Sequence, residues 1–82
     1  MTMPSVKTPQ FRTLLIRRLE NVFPDYDSHI EDAPRGITFQ LFDKEGQPTT
    51  GRINIYRAHA SALTRRTLTR QVQAAGRKGA HA

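Results

Sequence analysis

The sequence predicts an α+β domain in the order α-β-β-β-α, a three-stranded antiparallel sheet with both helices packed on one face. Three observations predict it. Apolar residues recur at helical spacing from Phe11 to Phe23, and again through Leu68, Val72 and Ala75. Between them Ile37, Phe39 and Leu41 alternate with Thr38, Gln40 and Phe42, and Ile53 and Ile55 follow in phase. The links between these strands are too short for a crossover, so neighbours must run antiparallel.

Residues 1–8 are small and polar, interrupted by Pro4, and read as a flexible N-terminal arm with nothing to bury. Thr8 before Pro9 reads as an N-cap with proline in the first turn, where a missing N–H costs nothing. A helix follows to about Val22. Phe11, Leu14, Leu15, Ile16, Leu19, Val22 and Phe23 fill its apolar arc, Arg17 lies outward, and Pro24 ends it. From Asp25 to Glu31 the period becomes two, with Tyr26, Ser28 and Ile30 on one side and Asp25, Asp27, His29 and Glu31 on the other. Asp32 to Gly36 supplies turn chemistry before the clearest strand, residues 37–42. Asp43, Lys44, Glu45 and Gly46 form a tight hairpin turn with glycine available for a left-handed residue. Gln47 to Tyr56 returns, its start disturbed by Pro48 and Gly51. The last helix runs from about Ala62 to Ala75 with Gly76 as its stop, closing a single domain over residues 9–76. Residues 77–82 then form a flexible basic tail.

A chain of 82 residues is one domain with a thin core, since a domain this small removes only about 60% of its unfolded surface from water. It contains no cysteine, which removes disulfides, thiol nucleophiles and cysteine-bound zinc and fits a reducing cytoplasm. The longest apolar run is Leu14, Leu15 and Ile16, so no membrane contact is expected.

The net charge is +6, and its placement says more than its size. All seven acids lie between Glu20 and Glu45, while residues 46–82 carry six arginines and Lys78 with no acid. Such banding implies faces of opposite sign. On the last helix Arg66, Arg70, Gln73 and Arg77 recur at spacings of 4, 3 and 4, which stacks them as a ridge opposite the buried stripe. With Lys78 and with Arg17 of the first helix they form the candidate anion-binding set, because guanidinium forks match phosphate oxygens. An arginine on a polar helix face also serves plain solubility. The absence of acids after Glu45 removes the intrahelical Glu–Arg pairs of a purely structural basic helix and favours the functional reading.

A second candidate surface is the uncovered sheet face, where Phe42 and Tyr56, if neighbours, make an aromatic patch flanked by Arg52 and His29. Aromatics beside arginine stack bases or anchor a protein partner, and burial in a homodimer accounts for such a face equally well.

No catalytic constellation assembles. His29, His59 and His81 are scattered without metal-ligand spacing. His59 and Ser61 with Asp25 or Asp27 lack the supporting loop of a hydrolase triad, and no phosphate loop or dinucleotide fingerprint occurs. The expectation is a non-enzymatic binding module without metal or cofactor. Its partner is nucleic acid or an acidic protein surface. The alternative is a protein-interaction module, an inhibitor or regulator docking through the open sheet face or an edge strand.

The run Leu19 to Tyr26 with its Val-Phe-Pro-Asp-Tyr, then a strand, Asp43-Lys44-Glu45-Gly46-Gln47, another strand and a basic helix resembles a bacterial family of short proteins of unknown function over residues 11–75. That resemblance implies a fold and carries no catalytic residues. The element order is also similar to that of the double-stranded-RNA-binding domain, although Thr64, Arg65 and Arg66 stand where that family has a lysine-rich helix start.

Overall fold

The computed structural model describes residues 3–80, with side chains as far as Gly76. Helix α1 (Pro9–Val22) starts where its sequence requires. Thr8 is extended and its hydroxyl accepts the Phe11 N–H at 3.3 Å, satisfying a donor that the first turn leaves free. The Phe23 N–H reaches the Leu19 carbonyl at 2.8 Å and closes the helix before Pro24. Phe11, Leu15 and Leu19, four residues apart, are wholly buried. The contact stripe is narrower than the apolar arc, and Leu14 is left 39% exposed.

Strands β1 (Asp27–Asp32), β2 (Ile37–Phe42) and β3 (Ile53–Ile55) form one antiparallel sheet in the order β1-β2-β3. Ile37, Phe39, Ile53 and Ile55 join Phe11, Leu15, Leu19, Leu63 and Leu68 in one buried cluster, so both helices cover the same sheet face. Within this layer α1 lies against β1 and α2 (Arg65–Ala80) against β3. Tyr26, whose alternation with Ser28 and Ile30 predicts a place in β1, instead precedes the strand in a turn and is 40% exposed.

The expected N-terminal arm also departs from its reading. Val6 is buried, Met3 packs against the core cluster, and Lys7 Nζ donates to the Ala33 carbonyl. A core this thin recruits apolar side chains from beside it, and burial of Val6 contributes about 1.5–3 kcal/mol, with less from the partly covered Met3.

The two hairpins follow their turn chemistry. Ala33 and Gly36 exchange both backbone hydrogen bonds, at 2.9 and 3.3 Å, around Pro34 and Arg35. In the second turn Asp43 Oδ1 accepts the N–H groups of Glu45 and Gln47, at 3.0 and 2.9 Å, and Gly46 takes φ of 86°. Past the Phe42–Pro48 bridge the return chain bulges before it rejoins the sheet at Ile53, which shortens β3 to three residues. Pro48 cannot donate to the ladder, and Thr50 closes the gap instead. Its buried hydroxyl accepts the Leu41 N–H at 3.1 Å and donates to the Gly51 carbonyl at 2.8 Å. Thr50→Val keeps the shape but strands a buried N–H. It is expected to lower stability by about 1–3 kcal/mol, read from the urea midpoint.

The C-terminal helix differs at both ends from its sequence reading. Residues 60–63 form a 3-10 turn, and Thr64 is an extended N-cap whose hydroxyl accepts the Thr67 N–H at 3.2 Å, so α2 begins at Arg65. Gly76 does not stop the helix, which continues to Ala80. A Cβ at this position would lie 3.2 Å from the Thr49 carbonyl oxygen, so glycine here permits helix and bulge to approach closely. The expected tail, residues 77–82, is therefore helical in its backbone as far as Ala80, and its last two residues lie outside those described.

Candidate nucleic-acid interface

Leu68 on α2 has no exposed surface, and Val72 and Ala75 pack partly buried beside it. At about 3.6 residues per turn, positions 66, 70 and 73 fall on the opposite side, and Arg66, Arg70 and Gln73 are all exposed. The unbroken helix carries position 77 into the same row, while the side chains of Arg77 and Lys78 lie outside the described residues. Arg17 is exposed on α1, across from the stripe of Phe11, Leu15 and Leu19.

The destination of the acids gives this ridge its significance. Asp32 binds Arg12 at 2.8 Å and Asp27 binds Lys44 at 3.1 Å. Glu31 lies 3.5 Å from His29 Nε2 and 3.7 Å from an Arg52 nitrogen. All four contacts involve β1. Among the described residues no carboxylate pairs with Arg17, Arg66 or Arg70. Exposed pairs are worth only about 0–1 kcal/mol each, so their main effect is on the field, which they cancel beside β1 and leave intact along α2.

The sheet face does not carry the joint aromatic patch. Tyr56 stands level with Gly36, six residues along β2 from Phe42, a separation of roughly 20 Å at about 3.3 Å per residue. Phe42 meets His29 instead, edge to face with centroids 6.5 Å apart. Arg52 reaches over the central strand toward Glu31. Three of the four sheet-face candidates thus form one neighbourhood with its charge largely balanced, and Tyr56 belongs elsewhere.

Tyr56 stands between two hollows at the end of β3. One, of about 660 Å³, is lined by Ala33, Pro34, Arg35, Asn54, Tyr56 and Arg57. The other, of about 490 Å³, shares Asn54, Tyr56 and Arg57 and continues to Thr67 and Gln71 on α2. Arg35 and Arg57 did not figure among the sequence candidates. They are far apart in the chain, and no periodicity links them; strand pairing at the Ile37–Ile55 end of the sheet brings them together. Neither pairs with a carboxylate among the described residues. Gln71, in the wall of the second hollow, has a buried Oε1 without a hydrogen-bond partner.

His59 Nδ1 lies 2.8 Å from Ser61 Oγ and accepts the Ser61 N–H at 3.3 Å, a local cap of the 3-10 turn. Asp27 belongs to the far end of the sheet, opposite Phe42, where it holds Lys44. Among the described residues no group of three or more histidine, cysteine or acidic side chains is placed to hold a metal, and no helix is long and apolar enough to cross a membrane. No family model matches the chain, and no curated protein and no solved structure matches it.

Proposed function

We propose that this chain is a non-catalytic binding module whose helical layer engages the phosphate backbone of a nucleic acid. The observation that carries the reading is the pair Arg66 and Arg70, exposed on the outward side of α2 and, among the described residues, without a carboxylate partner while Asp27, Glu31 and Asp32 are occupied around β1. Guanidinium groups in a row along a rigid helix can follow a phosphodiester chain, and each phosphate contact releases a counterion. Arg17 adds to the same layer from α1, and Gln73 supplies a neutral donor within the row. The role needs no cofactor, and a cysteine-free chain suits a cytoplasmic setting.

The test is fluorescence anisotropy with labelled oligonucleotides over a salt series. Affinity should fall with a log–log slope of about −0.9 per neutralised phosphate on a duplex. The Arg66→Glu, Arg70→Glu double variant should bind at least about tenfold more weakly, with a slope shallower by about two units. Absence of binding at low salt, or identical curves for parent and variant, would overturn the reading.

A second reading, an interaction module for an acidic protein surface, draws on the free outer edges of β1 and β3. It requires a stoichiometric protein partner together with no mobility shift on any nucleic acid.

A further inference from the structure

We infer that the hollow beside Tyr56 is a stacking site for an unpaired nucleobase, which makes single-stranded nucleic acid the preferred ligand. The inference rests on the reading of α2 as a phosphate-binding ridge and identifies which nucleic acid it serves.

Tyr56 is 56% exposed, the most exposed large apolar side chain among the described residues. It follows directly on the last residue of β3, so a backbone held by the sheet positions it. The hollow on one side measures about 660 Å³, within the range of about 300–1,000 Å³ typical of small-molecule sites. Arg35 and Arg57 share its wall, both exposed and neither paired with a described carboxylate. An aromatic face that shares a wall with two guanidinium groups matches a nucleotide unit, with the base on the ring and phosphate on the cations. The Asn54 amide in the same wall offers a donor and an acceptor to a base edge.

The second hollow, which shares Asn54, Tyr56 and Arg57 with the first, lies beside the ridge. Thr67 and Gln71 line it, and Arg70 precedes Gln71 and lies one turn from Thr67 on α2. A strand following Arg66 and Arg70 therefore passes the Gln71 flank before it reaches Tyr56. Gln71 holds a buried amide oxygen without a partner, and rotation of that side chain toward an incoming base amino group satisfies it. A duplex keeps its bases stacked inside and can use the ridge alone.

The sequence supplies its own probe, because it contains two tyrosines and no tryptophan. In a Tyr26→Phe protein Tyr56 is the sole tyrosine, and excitation above the phenylalanine band reads it alone. Its emission should be quenched by a saturating single-stranded 12-mer and unaffected by the corresponding duplex. In the anisotropy assay, Tyr56→Ala should weaken single-strand binding by about 5- to 150-fold, leave duplex binding unchanged, and be rescued by Tyr56→Trp. Arg35→Gln and Arg57→Gln should each make the single-strand salt slope shallower by about one unit. Unquenched Tyr56 emission at saturation, or equal single-strand affinity for parent and Tyr56→Ala, overturns the stacking site while the ridge stands. Absence of binding to either form overturns the ridge and the stacking site together.

Discussion

Leu68→Ala is expected to lower the stability of this domain by about 2–5 kcal/mol. Leu68 has no exposed surface and is the only α2 side chain that is wholly buried among the described residues, Val72 and Ala75 being only partly covered. The opposite side of the helix exposes Arg66, Arg70 and Gln73, so Leu68 with the partial cover of Val72 and Ala75 carries most of its apolar contact. A domain of 82 residues holds roughly 0.05–0.15 kcal/mol of net stability per residue, so this one substitution removes a large share of the total. The urea midpoint followed by circular dichroism should fall accordingly, and the proposed nucleic-acid binding should fall with it, because Arg66 and Arg70 form a row only while α2 is docked. An unchanged midpoint would mean that α2 is held by something other than its one buried leucine.

Gly36→Ala is expected to be nearly as damaging, through the opposite fault. A Cβ at position 36 would sit 2.1 Å from the Ile55 carbonyl oxygen and 3.0 Å from Tyr56 Cα, both backbone atoms that cannot swing aside. The chain would have to push β3 away from β2, and β3 is held by only three paired residues. Overpacking of this kind costs about 1–3 kcal/mol, and a clash with backbone belongs at the upper end. The melting temperature should drop by about 4–8 °C for each kcal/mol lost. Gly51→Ala is the control, since a Cβ there meets nothing within 4 Å. Equal melting temperatures for Gly36→Ala and the parent would show that β3 can shift without cost.

Much of the architecture was legible because local chemistry and periodicity agreed. Thr8 with Pro9 marked the start of α1, Asp43 to Gly46 marked the hairpin, and alternation through residues 37–42 placed the central strand in its correct phase. The failures have particular physical causes. Apolar residues as sparse as Met3 and Val6 in a polar segment set up no period, so their packing against the core left no trace in the sequence. Glycine serves both helix termination and close packing, and at Gly76 the nearby Thr49 carbonyl decided between them. The arc on α1 showed which side faces inward but not how wide the contact is, hence the exposure of Leu14.

The candidate site was legible where it lies on one element and obscure where it is assembled from several. Spacing alone placed Arg66, Arg70 and Gln73 on the exposed side of α2. The separation of Phe42 from Tyr56 follows from the hairpin itself, since Phe42 adjoins the turn and Tyr56 lies well past it on the return strand, and the bulge between Pro48 and Ile53 sets only the final register. The grouping of Arg35, Tyr56 and Arg57 depends on the same register.

The ordering of the two layers has an electrical consequence. Three of the acids, Asp27, Glu31 and Asp32, lie on the β1 edge, and α2, whose Arg66 and Arg70 pair with no carboxylate among the described residues, lies at the β3 edge, so the molecule is polarised across the width of its sheet. In the field of a polyanion such a body experiences a torque as well as an attraction. It turns its α2 flank forward while still about a Debye length away, roughly 8–10 Å at ordinary ionic strength, and fewer encounters are spent on the wrong side.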